Sequence, residues 1–187
     1  VLTNAEAAYA ALEAAAQTAA NAVVTKIDAI GTVEYTDASK ALIDEAREAY
    51  DALTAAEKLL VPTAKVTALT NAETAYATLK AAAEAAAVVV GKIDAIGTVE
   101  YTDASKALID DAREAYDALS ETEKGFVASE KLDVLTAAEA SYASLKAAAE
   151  AAANKGGCGG SVVAVSAIVS GLAFAGLALL GKKRKED

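Results

Sequence analysis

The stretch Lys26–Leu53, KIDAIGTVEYTDASKALIDEAREAYDAL, returns 66 residues later as Lys92–Leu119 with one difference in 28 positions, Glu45 against Asp111. A recurrence this long marks an array of like units and not one large enzyme domain. Outward from it the likeness loosens but persists. LTNAETAYATLKAAAEAAA from Leu69 is echoed by LTAAEASYASLKAAAEAAA from Leu135, and LTNAEAAYAALEAAA opens the chain at Leu2. The 187 residues therefore read as the last helix of a truncated module (1–22) and two whole helical modules (23–88 and 89–154). A Gly-rich linker (155–161), an apolar segment (162–181) and a basic tail (182–187) follow.

Within a module the apolar spacing is helical. Leu42, Ile43, Ala46, Tyr50 and Leu53 fall on one stripe at three- and four-residue intervals, and Asp44, Glu45, Arg47, Glu48 and Asp51 fill the opposite face. Thr36 with Asp37 supplies an N-terminal cap and first turn, while Gly31 supplies the stop of the preceding helix. Thr54 with Glu57, and Ser120 with Glu123, have the capping-box spacing that starts a short helix. Pro62 closes that turn and opens the next helix, whose stripe is Val66, Leu69, Tyr76, Leu79, Ala83, Ala86, Val90 and Ile93. Nothing interrupts this stripe before Gly97, so the last helix of one module and the first of the next read as one. Its weakest point is Val88-Val89-Val90-Gly91, where β-branched residues and glycine lower helix propensity. The expected fold class is all-α: tandem three-helix bundle modules joined by long shared helices, with a C-terminal transmembrane helix.

Composition agrees with helices and narrows the chemistry. Alanine dominates, there is no Trp, Met or His, and one cysteine is present. Zinc sites and Ser-His or Cys-His nucleophilic chemistry therefore lack their usual residues, and neither a cofactor nor an enzymatic activity is expected. The net charge is −10, yet four of the 17 basic residues sit in the terminal KKRKED. The body is thus more acidic than the whole and repels nucleic acid, which is not an expected partner.

Val162–Leu180 is uncharged over 19 residues, about 28 Å as a helix, close to the roughly 30 Å hydrocarbon core of a bilayer. Lys182, Lys183, Arg184 and Lys185 set the topology, because basic flanks stay on the cytoplasmic side. The expectation is a single-pass cell-membrane protein, its N-terminal part outside and its C-terminus inside, with the lipid bilayer as partner through residues 162–181. The start at Val1, inside a partial repeat, reads as the C-terminal piece of a longer protein whose upstream domains the modules carry.

KIDAIGTVEYTDASKALIDEAREAYDALT, followed by a short turn and LTAAEASYASLKA, resembles the tandem helical repeats of large Gram-positive surface proteins. YTDASKALIDEA is similar to the FIVAR modules of such proteins. The resemblance implies an extracellular spacer between a functional domain and its anchor, and it carries over no catalytic residue. Cys158, in KGGCGGS before the apolar run and basic tail, resembles the Cys-containing C-terminal sorting signals of some bacterial surface proteins, although no LPXTG pentapeptide is present. The likeness implies processing or modification at Cys158, and an odd extracytoplasmic cysteine also admits an intermolecular disulfide.

Tyr9, Tyr76 and Tyr142 on one helix, and Tyr50 and Tyr116 on another, read as stripe residues with wet hydroxyls. Tyr35 and Tyr101 lie in the interhelical loop and are the candidates for exposed contacts. Asp28, Glu34 and Asp37, repeated as Asp94, Glu100 and Asp103, surround that loop without a calcium-loop pattern and read as caps and solubilising charges. Arg47 and Arg113 stand between acids at i−3 and i+4, pairs expected to be minor helix supports. The expected function is an extracellular helical stalk and C-terminal membrane anchor displaying an upstream domain. The alternative is a helical-bundle adhesin module that binds a host surface or serum protein, or a glycan.

Overall fold

A computed structural model describes residues 2–155, and every regular element among them is helical. The order is α1 (Leu2–Ala29), α2 (Asp37–Asp51), α3 (Ala55–Leu60), α4 (Thr63–Ala95), α5 (Asp103–Asp117), α6 (Glu121–Lys124) and α7 (Ser129–Lys155). The chain divides into two units, Val1–Ala149 and Glu150–Asp187; of the second, the described part is the end of α7. The expected membrane segment 162–181 lies outside the described residues. Among the described residues no helix is long and apolar enough to cross a membrane.

The capping chemistry forms as the sequence leads one to expect. Thr36 and Thr102 accept from the backbone N–H of Ser39 and Ser105 and open α2 and α5. Thr54 and Ser120 each close a reciprocal capping box with Glu57 and Glu123, which lets helices as short as α3 and α6 start. Gly31 and Gly97 follow the ends of α1 and α4 with φ of 60° and 58°. This left-handed conformation costs L-residues with a Cβ but not glycine.

Two apolar clusters of equivalent composition form the interior. Val23, Ile27 and Ile30 meet Ile43 and Ala46 of α2 and Leu69 and Ala72 of α4. Val89, Ile93 and Ile96 meet Ile109 and Ala112 of α5 and Leu135 and Ala138 of α7. Helix α4 therefore serves both clusters with different turns of one unbroken helix. Its 33 residues correspond to about 50 Å at 1.5 Å each, and the Val88–Gly91 stretch stays helical throughout. Each cluster is mostly Val, Ile and Leu with two alanines, and the largest fully enclosed side chains among the described residues are Leu69, Ile93 and Leu135. Truncating such a leucine to alanine costs about 2–5 kcal/mol.

Two details of the expected stripes are corrected. Leu42 and Leu108 are 37% and 42% exposed, whereas Ser39 and Ser105 are buried. The inward row of α2 is Ser39, Ile43, Ala46 and Tyr50, at spacings of four, three and four; Leu42, one position from Ile43, is turned about 100° away from it. On α4 the inward valine is Val89, with Val90 half-buried beside it.

Candidate functional site: the interhelical loop and its polar clamps

The most elaborate local arrangement is built around the turn between α1 and α2 and is repeated between α4 and α5. The buried Ser39 hydroxyl accepts from the Glu34 backbone N–H at 3.2 Å, while the Ser39 N–H donates to the Thr36 hydroxyl at the same distance. In the second copy, Glu100 to Ser105 is 3.1 Å and Ser105 to Thr102 is 3.2 Å. The serine hydroxyl thus satisfies a loop amide while the capping threonine satisfies the serine's own helix-end amide, and the first of these bonds explains a polar residue on the apolar row. The signal was available in the sequence as a serine four residues before Ile43, three after the capping threonine.

This frame holds the loop tyrosines. Tyr35 is 40% exposed and its ring centroid is 5.6 Å from that of Tyr76; Tyr101 is 46% exposed and 5.5 Å from Tyr142. Each ring meets the tyrosine of the neighbouring helix at a tilt of 44° or 48° and leaves part of itself in solvent. Tyr35 also meets the edge of Phe126 at 5.9 Å, ring planes at 86°, a favourable edge-to-face geometry. Phe126 follows α6, so this contact ties the loop of the first copy to the turn of the second. The sequence reading did not single out Phe126, because Leu60 stands at the corresponding place in the first copy.

Ion pairs brace the same helices. Arg47 on α2 donates from Nε and Nη2 to both carboxylate oxygens of Glu73 on α4, at 2.6 and 2.8 Å, and Arg113 makes the identical fork to Glu139 on α7. The Glu73 hydrogen bond, with its charge, holds the Arg47 guanidinium further toward the protonated form against the opposing effect of burial, and Glu139 does so for Arg113. Of the two expected pairs along the helix, the i+4 one forms as a minor contact and the i−3 one does not. Asp51 stands 3.9 Å from Arg47, and Asp44 is taken by Lys40. The guanidinium also lies 5.6 Å from the centre of the Tyr50 ring, within cation–π range.

The loop carboxylates are occupied in the same way. Asp28 pairs with Lys65 and Asp94 with Lys131, joining the first and last helices of each cluster. Lys26 meets Glu45 at 3.1 Å, and Lys92 meets Asp111, so the single substitution between the copies preserves the pair. Asp37 and Asp103 stand in the first turns of α2 and α5, where the helix dipole favours a negative charge. Among the described residues no cluster of three metal-ligating side chains occurs. A shallow groove of about 580 Å³ between α1 and α3 is lined mainly by alanines with Glu13, Gln17 and Leu60.

The remaining sequence candidates, Cys158, Lys182, Lys183, Arg184 and Lys185, lie outside the described residues. No protein-family profile, curated protein or solved structure matches this chain.

Proposed function

We propose that the chain is the helical stalk and C-terminal membrane anchor of a surface protein, built of tandem three-helix bundles that share α1 and α4 as common helices. The observation that carries this reading is the duplication of one packing scheme, down to the Arg–Glu fork and the serine-braced loop, along a chain that continues into a 19-residue uncharged run and a basic tail. Such a scheme fixes distance and stiffness rather than chemistry. Residues 162–181 hold the chain in the bilayer, Lys182–Lys185 keep the C-terminus on the cytoplasmic side, and the acidic modules stand outside to carry an upstream domain. Cys158 is then the point at which the chain is processed, lipidated or disulfide-linked, and mass spectrometry of the native C-terminal peptide would show which.

Removing residues 23–88 should shorten the projection of a domain fused at the N-terminus and leave its surface display intact. Loss of display with the apolar run still present would sink the spacer reading.

A second reading, a module that captures a host protein or glycan, is favoured by one observation: each copy exposes a leucine (Leu42, Leu108) and a loop tyrosine (Tyr35, Tyr101) at matching positions. A serum pull-down with the displayed chain separates the two. A specific protein lost on Leu42→Ser with Leu108→Ser supports capture, and a bare spacer retains none.

A further inference from the structure

The N-terminal half of α1 carries a face that no element among the described residues covers. Leu2, Ala5, Glu6, Tyr9 and Leu12 lie along it, and the three largest are exposed to 75%, 65% and 70% for Leu2, Tyr9 and Leu12. The same residue types in the same order occur on α4 and α7. There Leu69 and Leu135 are 0% exposed, Ala72 and Ala138 are buried, and Tyr76 and Tyr142 pack against the clusters. What covers them is known: the helix–loop–helix Lys26–Leu53 over α4, and its twin Lys92–Leu119 over α7. Charge repeats the pattern. Glu73 and Glu139 are each gripped by an arginine of the covering element, whereas Glu6, their equivalent, has no ion-pair partner among the described residues.

We propose that this face of α1 is a docking surface for a further copy of the Lys26–Leu53 helix–loop–helix, whose arginine closes on Glu6. The assignment follows from the packing of α4 and α7 and holds whether or not the array serves as a stalk. Charge complementarity and the repeat of an interface already formed twice choose this occupant over an unrelated apolar partner. One geometric consequence is specific to this surface. Between Tyr9 and Lys26 α1 has 17 residue steps, against 16 between Tyr76 and Lys92. One extra residue turns the docked copy about 100° further round the helix, so its approach differs from that of the first copy to the second.

The test is hydrogen exchange at the amides of residues 2–12, compared in three full-length chains. One is native, one carries a copy of residues 63–68 in place of Val1, and one carries a copy of residues 17–68 there. The short extension lengthens the helix alone; the long one brings the helix–loop–helix to the face. Exchange should slow by at least about tenfold in the long extension relative to the short one, toward the protection of residues 69–79. Glu6→Ala should reverse part of that protection in the long extension and change nothing in the native chain. Equal exchange in the two extended chains would overturn the proposal, as would an equal effect of Glu6→Ala in all three. Sedimentation provides the remaining arm: a native-chain dimer abolished by Tyr9→Glu would mean that the face pairs with itself, contrary to the proposal.

Discussion

The Arg47 guanidinium grips both carboxylate oxygens of Glu73, at 2.6 and 2.8 Å, across the space between α2 and α4. The side chains are 30% and 34% exposed, so water still screens them. A well-aligned fork of this kind is worth about 1 kcal/mol, toward the upper end of what exposed pairs contribute. Arg47→Lys should lose most of it, because an ammonium cannot reproduce the two parallel bonds. A double-mutant cycle of Arg47→Ala and Glu73→Ala, read by urea unfolding, checks the coupling. Coupling near zero would make the fork a decoration of the surface.

Two glycines should respond oppositely to alanine. Gly91 lies inside α4, exposed, with no atom within 4 Å of an added Cβ. Gly91→Ala should stabilise by about 1 kcal/mol through helix propensity. Gly31 has a φ of 60° and equal space around it, yet Gly31→Ala should destabilise by about 1–2 kcal/mol, since the cost is in the backbone. Urea midpoints of the two variants decide this, and a matching sign for both would refute the backbone argument.

Two leucines, one on α2 and one on α4, should differ as their burial does. Leu69→Ala should cost about 2–5 kcal/mol, because the side chain is 0% exposed. Leu42→Ala, at a position that is 37% exposed, should cost well under half as much. Thermal unfolding of both variants measures the ratio.

The capping boxes give a pH dependence. The Thr54 backbone N–H and then its hydroxyl donate to the Glu57 carboxylate and hold it below the ordinary carboxylate range. The Ser120 hydroxyl and backbone N–H do the same for Glu123. A folded-state value lowered in this way contributes stability that is present above the unfolded carboxylate range and is lost as pH falls through the lowered folded value. Acid titration of the Glu57 and Glu123 side-chain resonances should show midpoints below the ordinary carboxylate range, and Glu57→Gln should flatten the acid limb of stability. Midpoints within the ordinary carboxylate range would contradict the caps.

Most of the helical layout was legible because its signals are local. Thr36, Thr54, Ser120, Gly31 and Pro62 act on the backbone within a turn of themselves, and the 66-residue recurrence needs no structure to be seen. What misled was side-chain direction between helices. Arg47 has acids at helical spacing on both sides, but the stronger partner is 26 residues away, and no periodicity points to Glu73. Leu42 is hydrophobic and adjacent to a core residue, yet the row set by Ile43, Ala46 and Tyr50 leaves it outside. Tyr35 was legible as a loop residue; its contact with Phe126 was not, because it depends on how the second copy follows the first.

The proposed topology has the acidic modules outside a membrane crossed by residues 162–181. Impermeant maleimide labelling of intact cells tests it most directly, using Cys158→Ser chains that carry either Ser141→Cys or Glu186→Cys. Labelling is expected at position 141 on intact cells and at 186 only after permeabilisation. Equal labelling of the two positions on intact cells, or recovery of the chain in the soluble fraction, would contradict it.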